Sequence, residues 1–148
     1  MRKLFLASML ILFTGLIHAQ KPTKAVGRLE NGVPVLTITK GLAIAALASN
    51  LKRVSGLDVR FTDVAIVGRD NRYKLVFSGG SHRSTFDITV EGELLTGDFG
   101  TSCTTSDCIH EDDGCVPEKN VSTGNYSCTP CANAGKCTKT VSTESLID

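Results

Sequence analysis

The side chains best equipped for chemistry in this 148-residue chain are six cysteines, Cys103, Cys108, Cys115, Cys128, Cys131 and Cys137, gathered within 35 residues. Around them stand Thr, Ser, Asp, Gly and Asn with few aliphatic residues, so the segment cannot close a core of its own. Thiols in that setting can pair as disulfides, hold a metal or exchange with other thiols. Three disulfides are the leading expectation, because an even cysteine count in an exported chain suits an oxidising compartment. Each cross-link would contribute roughly 2–4 kcal/mol, largely by restricting the unfolded chain. Six cysteines admit more than a dozen pairings, and the sequence does not choose among them.

The metal alternative is a zinc site with Cys128 and Cys131 as a C-x-x-C knuckle and two ligands from Cys103, Cys108, His110, Cys115 or Cys137. No second C-x-x-C accompanies it. Glu111, Asp112 and Asp113 suggest calcium, but Ile109 stands where an EF-hand requires its first carboxylate, which favours a solvated acidic loop. No metal or other cofactor is therefore expected. For thiol exchange, Cys128-Thr129-Pro130-Cys131 resembles the C-x-P-C active site of thioredoxin-like oxidoreductases, and the resemblance implies a reactive thiol activated by helix amides. The likeness covers four residues. In that family the motif opens a helix after a strand, whereas here a turn-like Ala132-Asn133-Ala134-Gly135-Lys136 and Cys137 follow. The Cys131 to Cys137 stretch is also similar to the C-x-N-G-G-x-C of EGF-like modules, with Ala134 in place of the first glycine, and reads as a turn stapled by nearby cysteines.

Other catalytic chemistry lacks parts. Outside the leader the only histidines are His82 and His110, and no G-x-S-x-G elbow surrounds a serine. Glu91 and Glu93 flank a turn glycine, a place with no cleft to raise one carboxyl pKa. Asn120-Val121-Ser122 and Asn125-Tyr126-Ser127 match the glycosylation sequon, which a bacterial leader makes a chance occurrence. No catalytic residue is assigned; a non-enzymatic binding or structural role is expected, with thiol exchange through Cys128 and Cys131 or a zinc-binding tail as the alternatives.

The leader is Arg2-Lys3, an apolar stretch from Leu4 to Ile17, and His18-Ala19 before Gln20. That is the three-part layout of a secretory signal, too short to span a membrane, with cleavage expected between Ala19 and Gln20. A lipid anchor fails, because no cysteine stands near the cut. Removing residues 1–19 takes away Arg2 and Lys3 and no acid, leaving 14 basic against 15 acidic residues in a mature chain of 129. The cations are scattered, so nucleic acid and acidic membrane surfaces are not expected partners. The expected locations are the periplasm or the exterior, with no membrane span in the mature chain and a partner that the sequence leaves unknown, an envelope or extracellular protein or ligand.

These features must be positioned by elements upstream. Residues 20–31 show little apolar periodicity and read as a loose segment. Val33–Ile38 reads as a strand in which Pro34, lacking an amide hydrogen, belongs among the first residues or at an edge. Thr39 is positioned to cap a helix over 41–54 whose apolar face holds Ile44, Leu47, Ala48, Leu51 and Val54, with Gly56 as its stop. Strands are expected at 63–67, 72–78, 84–90 and 93–97, joined by hairpin turns.

The expected fold is α+β, one helix packed on a four- to five-stranded antiparallel meander, followed by a Cys-rich, loop-dominated tail. The expected units are a signal at 1–19, an α+β domain at 20–99 and a disulfide-stapled tail at 100–148. In element order the middle region resembles cystatin-like and PepSY-like domains, a likeness of fold alone. In overall layout the chain resembles small exported proteins of Bacteroidota. The features carrying that likeness are the Ala-Gln leader end, Glu30-Asn31-Gly32-Val33-Pro34-Val35-Leu36 and the closing Gly135-Lys136-Cys137-Thr138-Lys139-Thr140-Val141-Ser142. It implies no known activity and carries over no catalytic residue.

Overall fold

The computed structural model describes residues 23–143, so the expected leader and its Ala19–Gln20 cleavage junction lie outside the described residues. In chain order the elements are β1 (Thr23–Glu30), β2 (Val33–Leu36), α1 (Lys40–Ser55), β3 (Asp63–Arg69), β4 (Arg72–Gly79), β5 (His82–Glu91), β6 (Leu94–Asp98), β7 (Thr101–Thr105), β8 (Pro117–Lys119), β9 (Tyr126–Cys128) and β10 (Thr138–Val141). The four hairpin-connected strands expected from alternation are β3 to β6, paired in that sequence. Val33–Leu36 lies at the sheet edge beside β1, where the missing amide hydrogen of Pro34 is harmless.

The expected α+β meander of four or five strands is nevertheless incorrect. The molecule is mostly β, with eight strands in one antiparallel sheet that curls until it nearly closes. Its path runs β3-β4-β5-β6-β1-β2, while β7 and β10 branch from the first half of β5. Two segments account for the difference. Residues 23–30, expected to be loose, form β1 between β6 and β2. A register shift between Ala25 and Gly27 places Val26 and Gly27 both inside, which breaks the period-two pattern that alternation analysis needs. A Cβ at Gly27 would stand 2.4 Å from the Val35 carbonyl oxygen and 2.5 Å from Ile66 Cδ1, so only glycine permits this approach of β1 to β2 and β3.

The second segment is β7, whose Thr-Ser-Cys-Thr-Thr reads as polar loop yet is buried at all five positions. Asp98 turns the chain into it by accepting the Gly100 amide at 3.0 Å. β7 is buried on both faces, its Cys103 side carrying the cystine cluster and its Thr104 side facing Ser84 of β5. Its hydroxyls are satisfied locally, as where Ser84 and Thr104 share a buried hydrogen bond of 2.9 Å.

Inside the curled sheet lie Val26, Val64, Leu75, Phe77, Phe86, Ile88, Leu95 and Phe99, closed over by Ala43, Leu47 and Leu51 of α1. Phe61, Phe77, Phe86 and Phe99 form a continuous aromatic row with centroids 5.3–5.9 Å apart in tilted or edge-on contacts. The helix face differs from expectation at three positions, one of them Ala43, which packs on the core. Val54 is exposed, whereas Asn50 is buried and donates to Ser142 Oγ at 3.2 Å, because the branch carrying β10 reaches over that side of the helix. Thr39 is the N-cap through its backbone, whose carbonyl accepts the Ala43 amide at 3.1 Å, with no side-chain capping bond. Gly56 stops the helix at φ +70°, its amide bonding Lys52 O at 3.1 Å, and Leu57 then packs on the core.

Candidate binding cleft beside the cystine cluster

The six cysteines form three disulfides, Cys103–Cys128, Cys108–Cys131 and Cys115–Cys137. First pairs with fourth, second with fifth and third with sixth, so every link ties the 103–115 stretch to the 128–137 stretch. The cystines make a small core of their own in which Cys103 and Cys115 are fully buried. It sits on the outer face of β5 and β7, fixed by Thr85 Oγ1 donating to Cys115 O at 2.9 Å and by the register of Thr85 with Cys103.

Cys128 and Cys131 do not pair with each other. The C-x-x-C is therefore split between two partners and does not form the single dithiol switch that a thioredoxin-like site requires. Sγ atoms of Cys103, Cys128 and Cys137 lie within 4.8 Å of one another, but each is in a disulfide and offers no thiolate to zinc. His110 is exposed and is not a member of that group.

The cystine platform holds the acidic segment 111–114 against the sheet. Glu111 Oε2 accepts the Ala132 amide at 2.7 Å, and Thr129 Oγ1 donates to the Asp113 carbonyl at 2.7 Å. Between this segment and the outer face of β3, β4 and β5 opens a cleft of about 560 Å³. Val67 and Val76 give it apolar wall, Arg69, Arg72, Lys74 and Arg83 line it as cations, and Asp70, Asp112 and Asp113 as carboxylates. Asp113 bridges Arg69 at 3.5 Å and Lys74 at 3.4 Å, joining the β3–β4 hairpin to the tail.

Arg83 is the unusual member. It is only 7% exposed, its Nη2 donates to the Gly114 carbonyl, and its Nε has no hydrogen-bond partner among the described residues. Burial pushes its pKa down, while nearby Asp112, Glu111 and Asp113 push it back up. A guanidinium nevertheless remains charged at ordinary pH.

At the far end of the same sheet face, Tyr126 donates to Asp87 Oδ2 at 3.1 Å. Burial raises the Asp87 carboxyl, with the Tyr126 hydrogen bond opposing and Asp98 adding to the rise. Burial and those two carboxylates push the Tyr126 phenol far upward, so it stays a donor.

The remaining candidates stay apart. Glu91 and Glu93 are exposed at the β5–β6 turn, and His82 shares a 3.0 Å hydrogen bond with Ser81 at the β4–β5 turn. Asn120 uses its side-chain oxygen to accept the Ser122 and Thr123 amides in the loop between β8 and β9. Sequence analysis missed the cleft cations. Their signal is the hairpin register: with Gly79 opposite His82, the outer-face positions include Lys74 and Val76 on β4 and Arg83 and Thr85 on β5. That register does not reveal that residues 111–114 roof them.

Comparison with protein-family models, with curated proteins and with solved structures finds no match.

Proposed function

We propose that this chain is a non-enzymatic binding module of the bacterial envelope or exterior, released into that compartment by cleavage after Ala19, and that it engages its ligand or partner in the cleft beside the cystine cluster. The observation that carries the reading is the cleft itself, an opening of about 560 Å³ walled on one side by sheet and on the other by a covalently stapled loop. A site on such a frame is pre-organised, so little ordering entropy is lost on binding. Thiol exchange and zinc binding are less well supported, because both need free thiolates and all six sulfurs are paired. Among the described residues no helix is long and apolar enough to cross a membrane, and three disulfides suit an oxidising compartment.

The test is affinity capture from a bacterial envelope extract with the oxidised chain, run beside an Arg69→Glu/Arg72→Glu variant that reverses two exposed charges at the cleft. A partner retained by the wild type and lost by the variant supports the reading. Retention of nothing, or of the same set by both, overturns it.

A further inference from the structure

The cleft carries a charge imbalance that its own ion pairs leave in place. Asp113 is held by Arg69 and Lys74. Arg83, buried at the floor, has no carboxylate within 4 Å among the described residues; its one hydrogen bond goes to the neutral carbonyl of Gly114, and its Nε is unpartnered. A buried guanidinium without a contacting counter-charge is expensive to maintain. Among the residues that line the cleft, four cationic side chains face three carboxylates, an excess of one positive charge in the lining.

Resting on the reading of the cleft as the ligand site, we propose that it takes a ligand bearing one carboxylate, received by the guanidinium of Arg83. The planar fork of arginine matches a carboxylate, and such charge-assisted hydrogen bonds are stronger than neutral ones. A dianionic phosphate would overshoot the imbalance and face Asp112, which borders the cleft with no ion pair among the described residues. Val67 and Val76 supply wall for an apolar body attached to the carboxylate. Asp112 therefore weakens anion binding and favours ligands of low charge.

The test uses the oxidised mature chain labelled with ¹⁵N, titrated with sodium benzoate, sodium acetate and sodium phosphate at constant ionic strength, following the Arg83, Asp112 and Gly114 amides. Saturable shifts with the carboxylates are expected, weakened about tenfold or more by Arg83→Met and strengthened by Asp112→Asn. Should Arg83→Met fail to fold, Arg83→Lys takes its place, since it keeps the charge and loses the fork. Shifts that do not saturate, that phosphate reproduces equally, or that Asp112→Asn leaves unchanged overturn the proposal. If benzoate and acetate fail while cleft-dependent capture of a partner succeeds, the carboxylate proposal falls and the binding-module reading stands.

Discussion

Tyr126 donates its hydroxyl hydrogen to Asp87 across 39 residues of sequence, and so ties the β8–β9 hairpin to the outer face of β5. The contact holds a part-buried carboxylate whose pKa is raised chiefly by desolvation. A carboxyl raised on folding contributes stability that is fully present below its unfolded pKa and is lost as pH rises through the folded value. The wild type should therefore gain stability relative to Asp87→Asn as pH falls from neutral through the raised value. Denaturant titrations of both proteins across that window check the sign. A difference that stays flat, or that runs the other way, would show that the hydrogen bond outweighs desolvation.

The three cystines close chain separations of 25, 23 and 22 residues. Loops of that length make each link worth about 3 kcal/mol by the chain-entropy argument. Replacing Cys103 and Cys128 together by serine should lower the unfolding free energy by about that amount. Peptide mapping of the oxidised wild type should recover the three stated pairs, and any other pairing would refute the cystine platform.

Phe86 is 1% exposed and sits between Phe77 at 5.8 Å and Phe99 at 5.3 Å. Truncating it removes both edge contacts and opens a cavity at the middle of the aromatic row. Phe86→Ala should destabilise by about 3–5 kcal/mol, measured as a shifted denaturation midpoint with an unchanged slope. A loss near that of an exposed-site change would mean the interior is not packed as described.

Because Cys128 and Cys131 belong to different disulfides, neither can resolve the other in a two-thiol cycle. Insulin reduction in the presence of a dithiol should show no turnover above the background, and Cys131→Ser should not alter it. Turnover abolished by that substitution would restore the oxidoreductase reading.

The sequence by itself determined what depends on neighbours along the chain. Alternation in Tyr73, Leu75 and Phe77 and in Phe86 and Ile88 located the hairpin strands, since a strand with one buried face repeats every two residues. Gly56 located the helix stop for an equally local reason, a left-handed backbone that glycine adopts without strain. The even cysteine count in a stretch poor in aliphatic residues made disulfides the expected chemistry.

Only the tertiary structure decided the rest. β1 is hidden by its bulge at Ala25 and Gly27, and β7 by being covered on both sides, which removes the polar face that alternation relies on. The cysteine pairing depends on which stretches fold over the outer face of β5, a long-range arrangement that spacing does not encode. Arg83 shows the same division. Its place on the outer face of β5 follows from the hairpin register, but its burial arises because residues 111–114, held by distant cystines, close over it.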